Sequence, residues 1–170
     1  MPVTSAESIA AGRKASSRTT PSYEGLRPAS AGRSRAARGA SRKRDTKPEV
    51  LLRKTLFARG HRYRVDVADL PGRPDIVFVA ARLACFVDGD YWHGRNLDDR
   101  LAKLSTGHNA AYWVEKIRTN VARDQRHDAA LASTGWHVLR LWETDVLRDP
   151  VQAARLVEEG LADRISARDT

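Results

Sequence analysis

The chain holds a single cysteine, Cys85, set inside an apolar run. That excludes an internal disulfide and a zinc site built on several thiolates, and leaves buried packing as the expected role of the thiol. No run of about 18 apolar residues exists to span a bilayer. The N-terminal Met1-Pro2-Val3-Thr4-Ser5-Ala6-Glu7 lacks the apolar segment of a secretory signal, so a cytoplasmic protein is expected. At 170 residues, 41% of them apolar, the length allows one domain with a modest core and some chain to spare.

Acidic residues are the minority, with 21 Asp and Glu against 30 Lys and Arg for a net +9. The imbalance is local. Residues 1–44 carry ten Lys/Arg against Glu7 and Glu24, a net of +8, which leaves the remaining 126 residues at +1. Residues 1–41 are rich in Ser, Ala, Gly and Arg, with almost no large apolar side chains to offset the entropy of ordering. A basic, mostly disordered tail is expected there, suited to lying along a phosphate backbone; a solvated extension is the plainer reading of the same composition.

A folded domain is expected over residues 42–165. Asp45 or Thr46 can cap a helix with Pro48 in its first turn and Val50, Leu51, Leu52, Leu56 and Phe57 on its apolar face; Gly60 ends it. The alternation in His61–Asp66 predicts a strand with Tyr63 and Val65 on one face, and Leu70-Pro71-Gly72-Arg73-Pro74 predicts a turn. Two continuous apolar runs follow, Ile76–Val79 and Leu83–Val87, each expected to be a buried strand. With the preceding strand they predict a three-stranded meander. The segment from Gly89 to Asn109 has no sustained period, although a short helix over Leu97–Leu104 fits within it. A long helix is predicted over Ala110–Ala132, with Trp113, Ile117, Val121, Ala129, Leu131 and Ala132 inward and Lys116, Arg118, Arg123 and Arg126 outward. A strand over Trp136–Glu143 and a helix over Pro150–Ala162 complete an α/β sandwich on a mixed sheet.

The chemistry-bearing residues gather around the two apolar runs. Asp75 opens the first and Asp88 closes the second, thirteen residues on, so pairing of the strands would bring both carboxylates to one sheet edge. Hydrolysis of a phosphodiester needs an activated water and charge neutralisation at phosphorus, and magnesium takes oxygen ligands of this kind. Turn acids would look the same, and Asp88-Gly89 alone is an ordinary turn. His93, five residues past Asp88, is a candidate for proton transfer or a solvent-exposed bystander. Its neighbours Tyr91 and Trp92 either pack beneath the loop, the stronger reading for Trp92, or meet a flat base stack, with Tyr91 the freer of the two. Glu49 sits in the first helical turn, where the helix dipole favours a carboxylate with or without a catalytic role.

Taken in order, Arg44-Asp45-Thr46-Lys47-Pro48-Glu49, Leu70-Pro71-Gly72-Arg73-Pro74-Asp75, Phe86-Val87-Asp88-Gly89-Asp90-Tyr91-Trp92-His93, Trp113-Val114-Glu115-Lys116-Ile117 with Asn120 and Asp124, then Gly135-Trp136 and Leu141-Trp142-Glu143 resemble the very-short-patch-repair DNA mismatch endonucleases over about residues 42–150. The resemblance implies a three-layer α/β/α core like that of PD-(D/E)xK nucleases and restriction enzymes. It also implies Mg²⁺-dependent nicking of duplex DNA beside a T·G mismatch left by deamination of 5-methylcytosine. The implied setting is a monomeric, nucleoid-associated repair enzyme with a functional link to a cytosine-5 DNA methyltransferase. Carried over by position, Asp75 and the backbone carbonyl of Val87 look like metal ligands, His93 like the catalytic histidine, and Glu49 like the acid that completes the site. Asp124 matches a further acid near the centre. Tyr91, Trp92 and Trp113 match aromatics that wedge into the DNA, and Lys116 a DNA-facing base.

Two departures stand out. Asp88 replaces a histidine of the well-known members, which puts a second carboxylate near the metal. Asp90, Arg95, Leu97 and Thr144 occupy positions that in those members hold a structural zinc; this set cannot bind zinc stably, so packing or ion pairs are expected to hold the loop instead. Two other readings compete: a restriction or defence nuclease with the same core and no mismatch preference, and a DNA-binding module without catalysis.

Overall fold

Thr46 stands at the N-cap of the first helix, α1 (Lys47–Ala58), with Pro48 in its first turn, in a computed structural model that describes residues 44–107 and 109–166. The expected tail, residues 1–41, lies outside the described residues. Helix α1 buries Leu52 and Leu56, four apart on one face, while Phe57 is rotated off that face and 58% exposed beneath the Arg62 guanidinium. The chain leaves the helix through Gly60 at φ 92°, a backbone conformation that costs glycine little.

The strand expected over His61–Asp66 is not formed. Arg64 alone bridges Val77, exchanging two 2.8 Å backbone hydrogen bonds with it. Asp66 then turns left-handed at φ 54°, which takes the chain out of extended geometry, and Val65 is exposed rather than sharing a face with buried neighbours. Tyr63 does face inward, its hydroxyl donating to the Arg53 carbonyl and its ring edge-on to Phe78.

The sheet has three strands in the order β1 (Ile76–Phe78), β2 (Leu83–Asp88), β3 (His137–Trp142). The β1–β2 pair is antiparallel and the β2–β3 pair parallel, so the sheet is mixed as expected. A parallel neighbour requires a long crossover. Here it runs through α2 (Leu97–Ser105) and the 24-residue α3 (Ala110–Ser133). After β3 come a six-residue helix that the sequence reading did not foresee, α4 (Glu143–Arg148), and α5 (Pro150–Ser166).

Alternation along β2 divides the core. Leu83 and Cys85 point, with Ile76, Phe78 and Leu141, toward Leu52 and Leu56 of α1, Val146 of α4 and Ala153, Ala154 and Val157 of α5. Ala84 and Phe86 point the other way, onto Leu131 of α3 with Leu70, Trp136 and Val138 packed around them. Each fully buried aliphatic side chain here contributes roughly 1.5–3 kcal/mol of transfer free energy. Cys85 packs as expected, and burial pushes its thiol up to about 12.

The buried face of α3 differs from the expected apolar one. Tyr112, Ile117, Asn120, Asp124 and Leu131 are buried, whereas Ala129 and Ala132 are exposed and Trp113 and Val121 are half-buried. The middle of this helix covers polar groups at a sheet end, so the inward face carries polar residues there.

One ion-pair cluster joins the two ends of the domain. Arg59 donates Nε and Nη2 to Glu158 of α5 at 2.7 and 2.6 Å, and His61 Nε2 lies 2.8 Å from the same carboxylate. The hydrogen bonds from Arg59 and then His61 hold the Glu158 carboxyl at about 2. A carboxyl whose folded value lies below its unfolded one stabilises the fold above that unfolded value, and the contribution fades as pH falls toward the folded one. Glu158→Gln is therefore expected to lower the melting temperature at pH 7 by a few degrees. The gap from wild type should close between pH 4.5 and 2 and narrow in high salt, as followed by circular dichroism.

Candidate active site

Antiparallel pairing of Ile76 with Cys85 sets the start of β1 beside the end of β2, so Asp75 and Asp88 come to the same end of the sheet. The Asp75 amide donates to the Cys85 carbonyl at 2.9 Å, and its carboxylate Oδ2 accepts the Val87 amide at 2.7 Å. The strand end that carries the Val87 carbonyl is thus locked to Asp75. Burial drives the Asp75 carboxyl up to about 7; the Val87 hydrogen bond opposes this, the nearby charges of Glu49 and Asp88 add to it, and Arg53 works against it.

Glu49 is 6% exposed, and its oxygens are engaged at the start of α1. Oε1 accepts the Thr46 hydroxyl at 2.7 Å, while Oε2 accepts the Asp45 amide and Arg53 Nη2, both at 2.9 Å. The carboxylate at the third helical position thus reaches back to the cap hydroxyl and to the amide one residue before it, a variant of the capping box, which uses the cap residue's own amide. Glu49 therefore braces the start of α1, and its charge also adds to the upward shift of Asp75.

The loop after β2 begins with Gly89, whose carbonyl accepts the amides of both Trp92 and His93. Asn120 of α3 donates to the Trp92 carbonyl at 3.1 Å and draws the loop onto the helix. At Gly94, φ is 78° and an added Cβ would lie 2.7 Å from a Val121 methyl, so only glycine lets the loop come this close. The His93 ring consequently lands between two acids, with Nδ1 2.7 Å from Asp124 Oδ2 and 3.4 Å from Asp88 Oδ1. Although burial pulls the other way, hydrogen bonds and charge from His93 and Arg123 hold the Asp124 carboxyl below its usual range.

Asp88 is 4% exposed and also meets Arg140, whose Nη1 lies 2.7 and 3.0 Å from its two oxygens. The same guanidinium reaches Asp128 of α3 and lies 4.4 Å over the Phe86 ring. The sequence reading missed Arg140 and Asp128, and named Asn120 only as part of a motif, without a role. The signals that could have found them are a charged residue at an interior strand position, Leu139-Arg140-Leu141, and Asn120, Asp124 and Asp128 repeating every four residues along one helix face.

Three of the four positions set against a zinc site by the resemblance, Asp90, Arg95 and Thr144, form a polar staple with Asp145. Arg95 Nη1 donates to Asp90 Oδ1 at 2.7 Å and to Thr144 Oγ1 at 2.6 Å, its Nη2 reaches Asp145, and the Thr144 hydroxyl donates to Asp90 at 2.7 Å. Despite partial burial, hydrogen bonds from Thr144 and Arg95 lower the Asp90 carboxyl. Leu97 packs against Gly94. Among the described residues no three His, Cys, Asp or Glu side chains converge in a way that would cage a metal ion.

The aromatics form a chain, Tyr91 to Trp92 at 4.7 Å, Trp92 to Trp113 at 6.0 Å and Trp113 to Tyr112 at 4.9 Å. Trp92 is the open one at 44% exposure, whereas Tyr91 is half-buried with Arg100 stacked 4.8 Å over its ring. This reverses the expectation that Tyr91 is the freer residue, because Arg100 of α2 covers it. Lys116 is half-buried on α3, one turn from Trp113.

A carboxyl raised in the folded state lowers stability as pH climbs from its unfolded value, near 3.8, to its folded one. Asp75→Asn is therefore expected to stabilise the metal-free protein by about 1–2 kcal/mol at pH 8, with the gain vanishing near pH 4 in denaturant titrations.

The profile of the family described as DNA mismatch endonuclease Vsr matches residues 29–99. The type II nicking enzyme V.HpaIIP of Haemophilus parainfluenzae is 36% identical over 132 residues, covering 78% of this chain and 92% of that protein. V.NaeI of Lentzea aerocolonigenes, also a type II nicking enzyme, is 44% identical over 131 residues, 74% of this chain and 76% of its own. The DNA mismatch endonuclease Vsr of Escherichia coli (strain K12) is 38% identical over 122 residues, 72% of this chain and 74% of its own. The resemblance read from the ordered motifs is thereby established, and the chain belongs to the Vsr family of DNA endonucleases.

Proposed function

We propose that this endonuclease is Mg²⁺-dependent and nicks duplex DNA at T·G mismatches, on a three-layer core of the PD-(D/E)xK and restriction-enzyme type. The observation that carries the reading is the convergence at one sheet end of Asp75, Asp88 and a His93–Asp124 pair. The donor set suits magnesium, which needs only one or two carboxylates because water and substrate phosphate complete its octahedron. Burial is the main cause of the raised Asp75, with the charges of Glu49 and Asp88 adding to it, and a divalent cation would relieve both. Asp75, the Val87 carbonyl and Asp88 would hold the ion. When bound it supplies charge neutralisation at phosphorus and a more acidic water.

The chain's own residues do the rest. Asp124 holds His93 by Nδ1, which fixes the ring and leaves Nε2 as the nitrogen that exchanges a proton with water or the leaving oxygen. Glu49 adds to the field on Asp75. Trp92, backed by Trp113 and Tyr91, is placed to stack against a disrupted base step, and Lys116 to meet phosphate. The polar staple takes the place of a structural zinc. A monomer acting alongside a cytosine-5 methyltransferase fits this role. A second reading, nicking without mismatch preference, is favoured by relatives named type II nicking enzymes.

Nicking of T·G-mismatched and fully paired duplexes with and without Mg²⁺ tests these readings together. Cleavage of the T·G duplex alone supports mismatch repair, equal cleavage of both supports the second reading, and binding without nicking would identify an inert module. His93→Ala is expected to reduce kcat by about 10²–10⁴, and Asp75→Ala to abolish nicking; wild-type rates in either would sink the assignment. EDTA should stop nicking, while a zinc-selective chelator leaves both nicking and melting temperature unchanged.

A further inference from the structure

His93 has two acids within reach and one Nδ1 to give. Asp124 Oδ2 lies at 2.7 Å and Asp88 Oδ1 at 3.4 Å, and Asp88 is the more deeply buried of the two. A buried carboxylate without a countercharge is costly, so an unpaired Asp88 would compete strongly for the imidazole. What prevents this is Arg140. Its position on β3 is fixed by parallel pairing opposite Phe86, whose ring it covers at 4.4 Å. One edge of the guanidinium grips Asp128, with Nε at 3.0 Å and Nη2 at 2.7 Å, which aims Nη1 at both oxygens of Asp88. A planar fork held on three sides is a fixed charge with little freedom to move.

We propose that Arg140 is a positioning residue of the nuclease centre: by occupying Asp88 it leaves Asp124 as the hydrogen-bond partner of His93 and so sets the orientation of the catalytic ring. The proposal rests on the nuclease reading of His93 and adds to it a residue that acts only through its neighbours. Neutralised by two carboxylates and stacked on Phe86, Arg140 is poorly placed to bind DNA backbone. Its loss should therefore act on turnover and leave duplex affinity alone. The competing account is that Arg140 only ties β3 to α3 through Asp128.

The test uses the full-length chain labelled with ¹⁵N at histidine, with the His93 signals assigned by their absence in His93→Gln. Arg140→Met is expected to shift the His93 imidazole nitrogens as Nδ1 turns toward Asp88. Asp128→Asn, which cuts the tie to α3 but leaves Asp88 within reach of Nη1, is expected to leave those signals in place while lowering the melting temperature. In nicking assays Arg140→Met should lower kcat by about tenfold or more, as a misplaced catalytic group does, with KM for the duplex within about threefold of wild type. Arg140→Lys should recover only part of that loss, because an ammonium lacks the fork. Unchanged His93 signals in Arg140→Met, or equal effects of Asp128→Asn and Arg140→Met on both signals and kcat, would overturn the proposal. A rise in KM alone would mark Arg140 as a DNA contact and overturn it as well. Wild-type nicking by Asp75→Ala would instead defeat the nuclease reading, and the His93 spectrum would still report on Arg140.

Discussion

Several acids are withdrawn from water at one end of a three-stranded sheet, and much of the domain is arranged around that charge. Glu49, Asp88 and Asp124 are each less than 10% exposed, and Asp75 lies among them. Each would be costly alone. The compensation comes from different elements: Arg53 one turn along α1 for Glu49, the Val87 amide for Asp75, Arg140 of β3 for Asp88, and the loop residue His93 with Arg123 for Asp124. Glu49 and Arg53 share α1, but Asp75, Asp88 and Asp124 each draw a partner from another element, so the site exists only once the sheet, the loop and α3 are assembled. Asp75 is left the least compensated and carries the largest upward displacement. Residual strain of this kind, held where chemistry is proposed, is what functional sites commonly retain.

The elements were legible where period and punctuation agreed. Thr46 and Pro48 marked the start of α1, the two apolar runs became β1 and β2, and Gly135 preceded β3. Asp75 and Asp88 were legible because acids that close apolar runs stand out. The failures share a cause, in that local pattern does not encode what lies across the gap. His61–Asp66 alternates like a strand, yet among the described residues its one strand-type pairing is Arg64 with Val77, and it turns away at Asp66. The inward face of α3 was read from apolar residues, but the sheet end opposite it is polar, so Asn120 and Asp124 face inward. Arg140 carries no local signal of its role, which exists only because the fold brings Asp88 and Asp128 to either side of it.

The staple of Asp90, Arg95, Thr144 and Asp145 ties the loop after β2 to the start of α4 through polar side chains. A zinc ion would concentrate four directed bonds at one point. The staple spreads several weaker ones between the loop after β2 and the start of α4. Such bonds weaken with salt and tolerate partial loss, whereas a metal site tends to fail as a unit. Arg95 also lies over the Trp142 ring, so the staple and the end of β3 share a side chain.

The length of α3 has a consequence for anything this protein grips. Trp113, Asp124 and Asp128 stand on one continuous helix of 24 residues. The eleven residues from Trp113 to Asp124 make close to three full turns, so Trp113, which meets Trp92, and Asp124, which holds His93, face the same way about 16 Å apart. A helix of this kind acts as a ruler. Adding or removing one residue between them would swing the two groups about 100° apart around the axis. The loop after β2 can change its sequence and its fastening, but the interval between the aromatic cluster and the His93–Asp124 pair is set in whole helical turns.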